Sequence, residues 1–77
     1  MDKIYNVSDI HFDNDFMIIK VDNILYKIKI SEASDKLGKA SDSVKNDFKV
    51  SPSGYGIHWN QIDEDLSING LIRIAKK

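Results

Sequence analysis

The sequence predicts an α+β domain: a small, mainly antiparallel sheet, a β-meander plus a fourth strand, with one or two short helices and a C-terminal helical turn. Three observations carry this. Runs of alternating, β-prone residues occupy the chain from Ile4 to Ile30 and are punctuated by two Asp-Asn pairs. The composition then turns to Ser, Ala, Lys and Asp over 31–46, where apolar residues fall at helical spacing. A β-prone triplet returns at Phe48-Lys49-Val50, and the chain closes on an apolar stripe of Ile68, Leu71 and Ile72.

In the first run, Ile4, Tyr5 and Val7 alternate in one phase and Ile10 and Phe12 in another, so a bulge or strand end is expected near Ser8. Phe16-Met17-Ile18-Ile19-Lys20-Val21 carries apolar residues on both faces and should be a central strand. Asp22-Asn23 suits the positive φ of a tight hairpin. Beyond it Ile24, Tyr26, Ile28 and Ile30 face one way and Leu25, Lys27 and Lys29 the other.

Ala33, Leu37 and Ala40 predict one short helix, weakened by Gly38, and Ser41 is placed to cap a further turn or two. Neither helix is long enough to stand alone, so Leu37, Ala40 and Val44 must pack on the sheet. Phe48-Lys49-Val50 reads as a fourth strand ending at Ser51-Pro52-Ser53-Gly54. Ile57 and Trp59 share one face of the next extended run, with His58 on the other. Ser67 is a candidate cap for the final segment, and Arg73, Lys76 and Lys77 suit a helix C-terminus.

Composition limits the rest. With 77 residues, the chain forms a single domain over 1–77 with a small core. Cysteine is absent, which excludes disulfides and thiolate metal sites. Eleven basic residues interleave with twelve acidic ones, which argues against binding nucleic acid through charge alone. No apolar run has the length of a membrane span, so a cytoplasmic protein without membrane association is expected.

The unusual surface is the stretch from 53 to 67. His11 and His58 lie on separate strands without the spacing of a zinc motif, so no metal is expected. Asp63, Glu64 and Asp65 are adjacent and must point in different directions, which does not suit paired-carboxylate catalysis. One of these acids has a second reading, as acceptor for backbone N–H groups of the glycine loop. Gly54-Tyr55-Gly56 lacks the lysine and helix of a phosphate loop; its glycines serve to turn Tyr55 outward and Trp59 inward. No cofactor or catalytic residue is expected. Tyr55, His58, Trp59, Asp63, Glu64 and Asp65 are the candidate partner-binding residues, with Trp59 equally suited to anchoring the core.

The string Gly54-Tyr55-Gly56-Ile57-His58-Trp59, followed by Ile62-Asp63-Glu64-Asp65-Leu66-Ser67-Ile68 and Gly70-Leu71, resembles the hallmark of a small bacterial family, domain of unknown function 2442. The likeness runs upstream through Ile28-Lys29-Ile30-Ser31-Glu32 and Phe48-Lys49-Val50-Ser51-Pro52-Ser53. Asn60 stands where the family usually has proline, and Asn23 where its hairpin usually has glycine. The resemblance implies a small α+β unit, often encoded beside another small protein in a pair similar to toxin and antitoxin, and it supplies no catalytic residues.

The expected function is therefore a non-enzymatic protein-binding module, the antitoxin-like or regulatory component of a two-protein system. Its partner would be another protein, such as a co-encoded small basic one, held by the aromatics and the acids. Two other readings stay open. One is a mobile-element inhibitor of a host defence complex; the other is a DNA-binding regulatory accessory using Lys20, Lys27, Lys29 and Lys49. An exposed sheet edge also leaves a homodimer open.

Overall fold

The first strand, β1 (Val7–Asp13), pairs antiparallel with β2 (Phe16–Val21), and β2 with β3 (Ile24–Lys29), which puts the doubly apolar strand in the centre as its composition requires. The computed structural model describes residues 5–52 and 54–76. Ile4, Ser53 and Lys77, invoked above, lie outside the described residues. The phase change at Ser8 is a bulge: Val7 pairs with Val21, and the next pair is Asp9 with Lys20. Both hairpin turns have two residues, Asn14-Asp15 and Asp22-Asn23. Asp22 and Asn23 both take positive φ, 52° and 68°, the geometry that matches the twist of a tight hairpin. The Asp22 carboxylate accepts from the Asn6 N–H at 2.9 Å while the Asp22 N–H donates to the Asn6 carbonyl at 2.9 Å, tying this turn to the start of β1.

Between 30 and 45 the chain forms three single-turn helices, α1 (Ile30–Ala33), α2 (Asp35–Gly38) and α3 (Asp42–Lys45). The single helix expected over 31–40 is divided at Ser34, which is extended (φ −159°, ψ 121°). Its hydroxyl accepts from the Leu37 N–H at 3.1 Å and so caps α2. Ile30 opens α1 instead of prolonging β3. Ser41 caps α3 as expected, accepting from the Val44 N–H at 3.4 Å.

Phe48–Val50 is a strand, β4, yet it does not extend the meander. It begins a second antiparallel sheet with β5 (Gly56–Trp59) and β6 (Glu64–Ser67), joined by a 3₁₀ turn at Asn60–Ile62. Ile62 and Leu66, four apart in sequence, are thus separated by a left-handed residue, Asp63 (φ 49°), and belong to turn and strand. Ser67 then caps α4 (Ile68–Ala75), accepting from the Gly70 N–H at 2.9 Å.

The α+β class follows from two three-stranded sheets and four helices among the described residues. Their shared core holds Met17, Ile19, Val21 and Ile28 from the first sheet, Ile57 and Trp59 from the second, and Ile30, Leu37, Ile68 and Leu71 from the helices. Phe12, Phe48 and Trp59 bridge the sheets, Phe12 edge-on to Phe48 with ring centroids 6.4 Å apart and Phe48 tilted against Trp59 at 6.1 Å. No helix among the described residues is long and apolar enough to cross a membrane.

Candidate functional site

The second sheet sorts the candidate residues by strand parity. Trp59 pairs with Phe48 and Glu64 on the face toward the core, while His58 pairs with Lys49 and Asp65 on the opposite face. Trp59 is fully buried, and its indole N–H donates to the Lys45 carbonyl at 2.9 Å. It is therefore the core anchor and is removed from the expected contact surface: no partner reaches it without unfolding the sheet.

The three acids separate for the same reason. Asp63 occupies the left-handed turn and is exposed. Glu64 points back, half-buried, and accepts the Ser34 hydroxyl proton at 2.5 Å, so it belongs to the α2 cap. Asp65 is exposed beside His58, with Oδ1 2.6 Å from Nδ1. This hydrogen bond, with the Asp65 charge behind it, holds the His58 pKa above the usual histidine value against a smaller opposing effect of desolvation. The acidic run is thus one structural acid, one turn residue and one half of an ion pair rather than a uniform patch.

Tyr55 stands at the rim, 64% exposed. Its backbone is held on both sides: the N–H donates to the Ser51 hydroxyl at 2.8 Å, and the carbonyl accepts from the Ile68 N–H at 3.0 Å. The Gly56 N–H shares the Ser51 hydroxyl at 3.1 Å, so a serine, not an acid, receives the donors of the glycine loop. Gly54 has φ +66°, and a Cβ there would lie 2.0 Å from the Tyr5 carbonyl oxygen, so glycine alone fits beneath the loop. The turn that lifts Tyr55 outward is set by these contacts.

Between this loop and β6 lies an open groove of about 880 Å³. Tyr55 and Pro52 of the loop border it, and Lys49, His58 and Asp65 form a row across it; Val50, Ile57 and Leu66 touch it only from the strands' other parity, the one that faces the core. Gly56 contributes no side chain, which leaves the surface dished. The sequence singled out Tyr55, His58 and Asp65 but missed Lys49 and Pro52 as their companions. Only the register of β4 against β5 sets Lys49 beside His58; the strand character of β6, which sets Asp65 there too, was hidden by the helical spacing of Ile62 and Leu66.

The remaining chemistry is limited. The hydroxyl oxygens of the two groove serines accept from backbone N–H groups, Ser51 from Tyr55 and Gly56 and Ser67 from Gly70. Among the described residues no three His, Asp or Glu side chains converge as a metal site would require. The proposed basic strip is divided, since Lys20, Lys27 and Lys29 share a face of the first sheet while Lys49 lies on the second.

Two short antiparallel meanders sharing a core with a capped C-terminal helix define a small α+β domain with a groove on its second sheet. The chain belongs to the family described as Protein of unknown function (DUF2442), whose model matches residues 7–77. Its fold is similar to the crystal structure of a protein of unknown function from Rhodospirillum rubrum, with a TM-score of 0.72 at 24% identity, covering 92% of this chain and 88% of that one. A search of curated proteins returns no match.

Proposed function

We propose that this chain is a non-enzymatic protein-binding module, antitoxin-like or regulatory, whose partner docks in the groove of the second sheet. The observation that carries this reading is Tyr55: a largely exposed aromatic ring on a backbone clamped by Ser51 and Ile68, at the rim of a dished, mainly apolar surface. A ring presented in this way loses little conformational freedom on binding, which favours affinity. The partner would place an apolar side chain against Tyr55 and Pro52 and polar groups over the Lys49, His58 and Asp65 row. The family resemblance adds the finer expectation of a small co-encoded partner.

The test is affinity capture from the native host with three tagged baits: the unaltered chain, Tyr55→Ala/Asp65→Ala, and Lys29→Glu on the other sheet. The expected result is one stoichiometric protein kept by the first and third and lost by the second. Tyr55→Ala alone should weaken the purified complex by about tenfold or more, the scale of an aromatic hot spot, while changing folding stability by less than about 0.5 kcal/mol, as for other exposed positions. Equal retention by all three baits, or none by a folded bait, would sink the reading.

A further inference from the structure

The outward face of the first sheet is polarised in a way that the groove does not explain. Cross-strand pairing aligns Asp13 with Phe16 and Lys29, His11 with Ile18 and Lys27, and Asp9 with Lys20 and Leu25. The β1 margin therefore carries Asp9, His11 and Asp13, the β3 margin carries Lys27 and Lys29, and apolar Phe16 and Ile18 run between them. Leu25 is 65% exposed at one corner, and the Lys27 ammonium lies 4.4 Å from the centre of the Phe16 ring. Asp13, Lys20 and Lys29 make no ion pair among the described residues.

We infer that this face binds a second copy of the same chain, in a two-fold dimer whose axis runs along β2. Rotation about that axis lays the acidic margin of each copy over the basic margin of the other. Asp13 then meets Lys29 of the second copy, His11 with its partner Asp9 (3.1 Å) approaches Lys27, and Phe16 and Ile18 meet their own equivalents. A two-fold axis across the strands would instead stack Asp9 on Asp13, so the charges select the first arrangement. Lys20 meets its own copy near one end, where its length lets the ammonium reach solvent. The face is self-complementary: a patch that is acidic on one side, basic on the other and apolar between fits itself under two-fold symmetry. The face measures roughly 15 by 20 Å from strand spacing and rise, less than the roughly 800 Å² per partner of a standard interface. The dimer is accordingly weak and concentration-dependent.

Sedimentation velocity over a concentration series from micromolar to millimolar tests the inference, because dimer mass should emerge as concentration rises. Lys29→Glu sets an acid against Asp13 of the other copy and should weaken association at least tenfold; adding Asp13→Lys in the same chain should restore it. Both positions are exposed, so circular dichroism should report unchanged folding. Monomer at every concentration overturns the dimer, as does association that ignores the single reversal or is not rescued by the double one. A monomer whose Lys29→Glu form loses a different protein would assign the face to that partner and equally overturn the dimer. Groove variants leave this face unaltered, so failure here and failure of the groove reading are separable.

Discussion

The two sheets have the same strand number and the same up-and-down order, yet they are built differently. In β1-β2-β3 the strands run six or seven residues and are joined by two-residue turns, so each strand finds its neighbour locally. In β4-β5-β6 they run three or four residues and are joined by the 51–55 loop and a 3₁₀ turn. The second sheet accordingly depends on contacts from elsewhere: the indole of Trp59 on Lys45, Glu64 on Ser34, and Gly54 beneath Tyr5. A sheet held from outside leaves its loops free to be shaped, and the groove lies there. The first sheet, regular and locally encoded, keeps a polarised face with its apolar middle open.

The largest break in this comparison should come from Trp59→Ala. Removing a fully buried indole that joins both sheets should cost about 3–5 kcal/mol, close to the whole stability of so small a domain. Chemical denaturation would show a shifted midpoint, and amide exchange should show protection lost in β4-β5-β6 before β1-β2-β3. Simultaneous loss in both sheets would mean that the second sheet is as self-sufficient as the first.

Glu64→Gln sharpens the same contrast at smaller cost. It weakens the charged hydrogen bond that ties β6 to the α2 cap and should destabilise by about 1–2 kcal/mol. Thermal unfolding measures this, and an unchanged midpoint would remove Glu64 from the ties between β6 and the helices. Glu64→Gln should leave partner binding intact, unlike Tyr55→Ala.

The smallest effect is a pH dependence. Because the folded state raises the His58 pKa, protonated His58 favours folding, and that stability is complete below the unfolded value of about 6.5. It is lost as pH rises through the higher folded value. Asp65→Asn removes the main cause of the shift, so the stability gap between the two forms should narrow from about pH 6 upward. A nuclear magnetic resonance titration of the His58 ring should show its midpoint falling toward the ordinary histidine range in Asp65→Asn. An unmoved midpoint would show that Asp65 does not govern this histidine.

What could be read directly was whatever rests on short-range rules. The Ser8 bulge, the Asp22-Asn23 hairpin, the central place of β2, and the Ser41 and Ser67 caps all depend on residues within a few positions of one another. So did the opposite orientations of Ile57 and Trp59 against His58, which strand alternation dictates. The split at Ser34 was not legible, because its decisive partner, Glu64, is thirty residues away. The strand character of 64–67 was equally hidden, since only the left-handed turn at Asp63 and pairing with β5 override a helical spacing.

The candidate site divides along the same line. Sequence alone determined that 53–67 was unusual, that Tyr55 would face outward, and that three adjacent acids could not act as one. Tertiary structure decided that Trp59 belongs to the core, that Glu64 serves a cap, that Asp65 pairs with His58, and that Lys49 and Pro52 join Tyr55 around a groove. The physical reason is register: composition and alternation specify what each strand presents to either side, but which strands lie together, and therefore which side chains meet, is settled only when the shared core closes around Trp59.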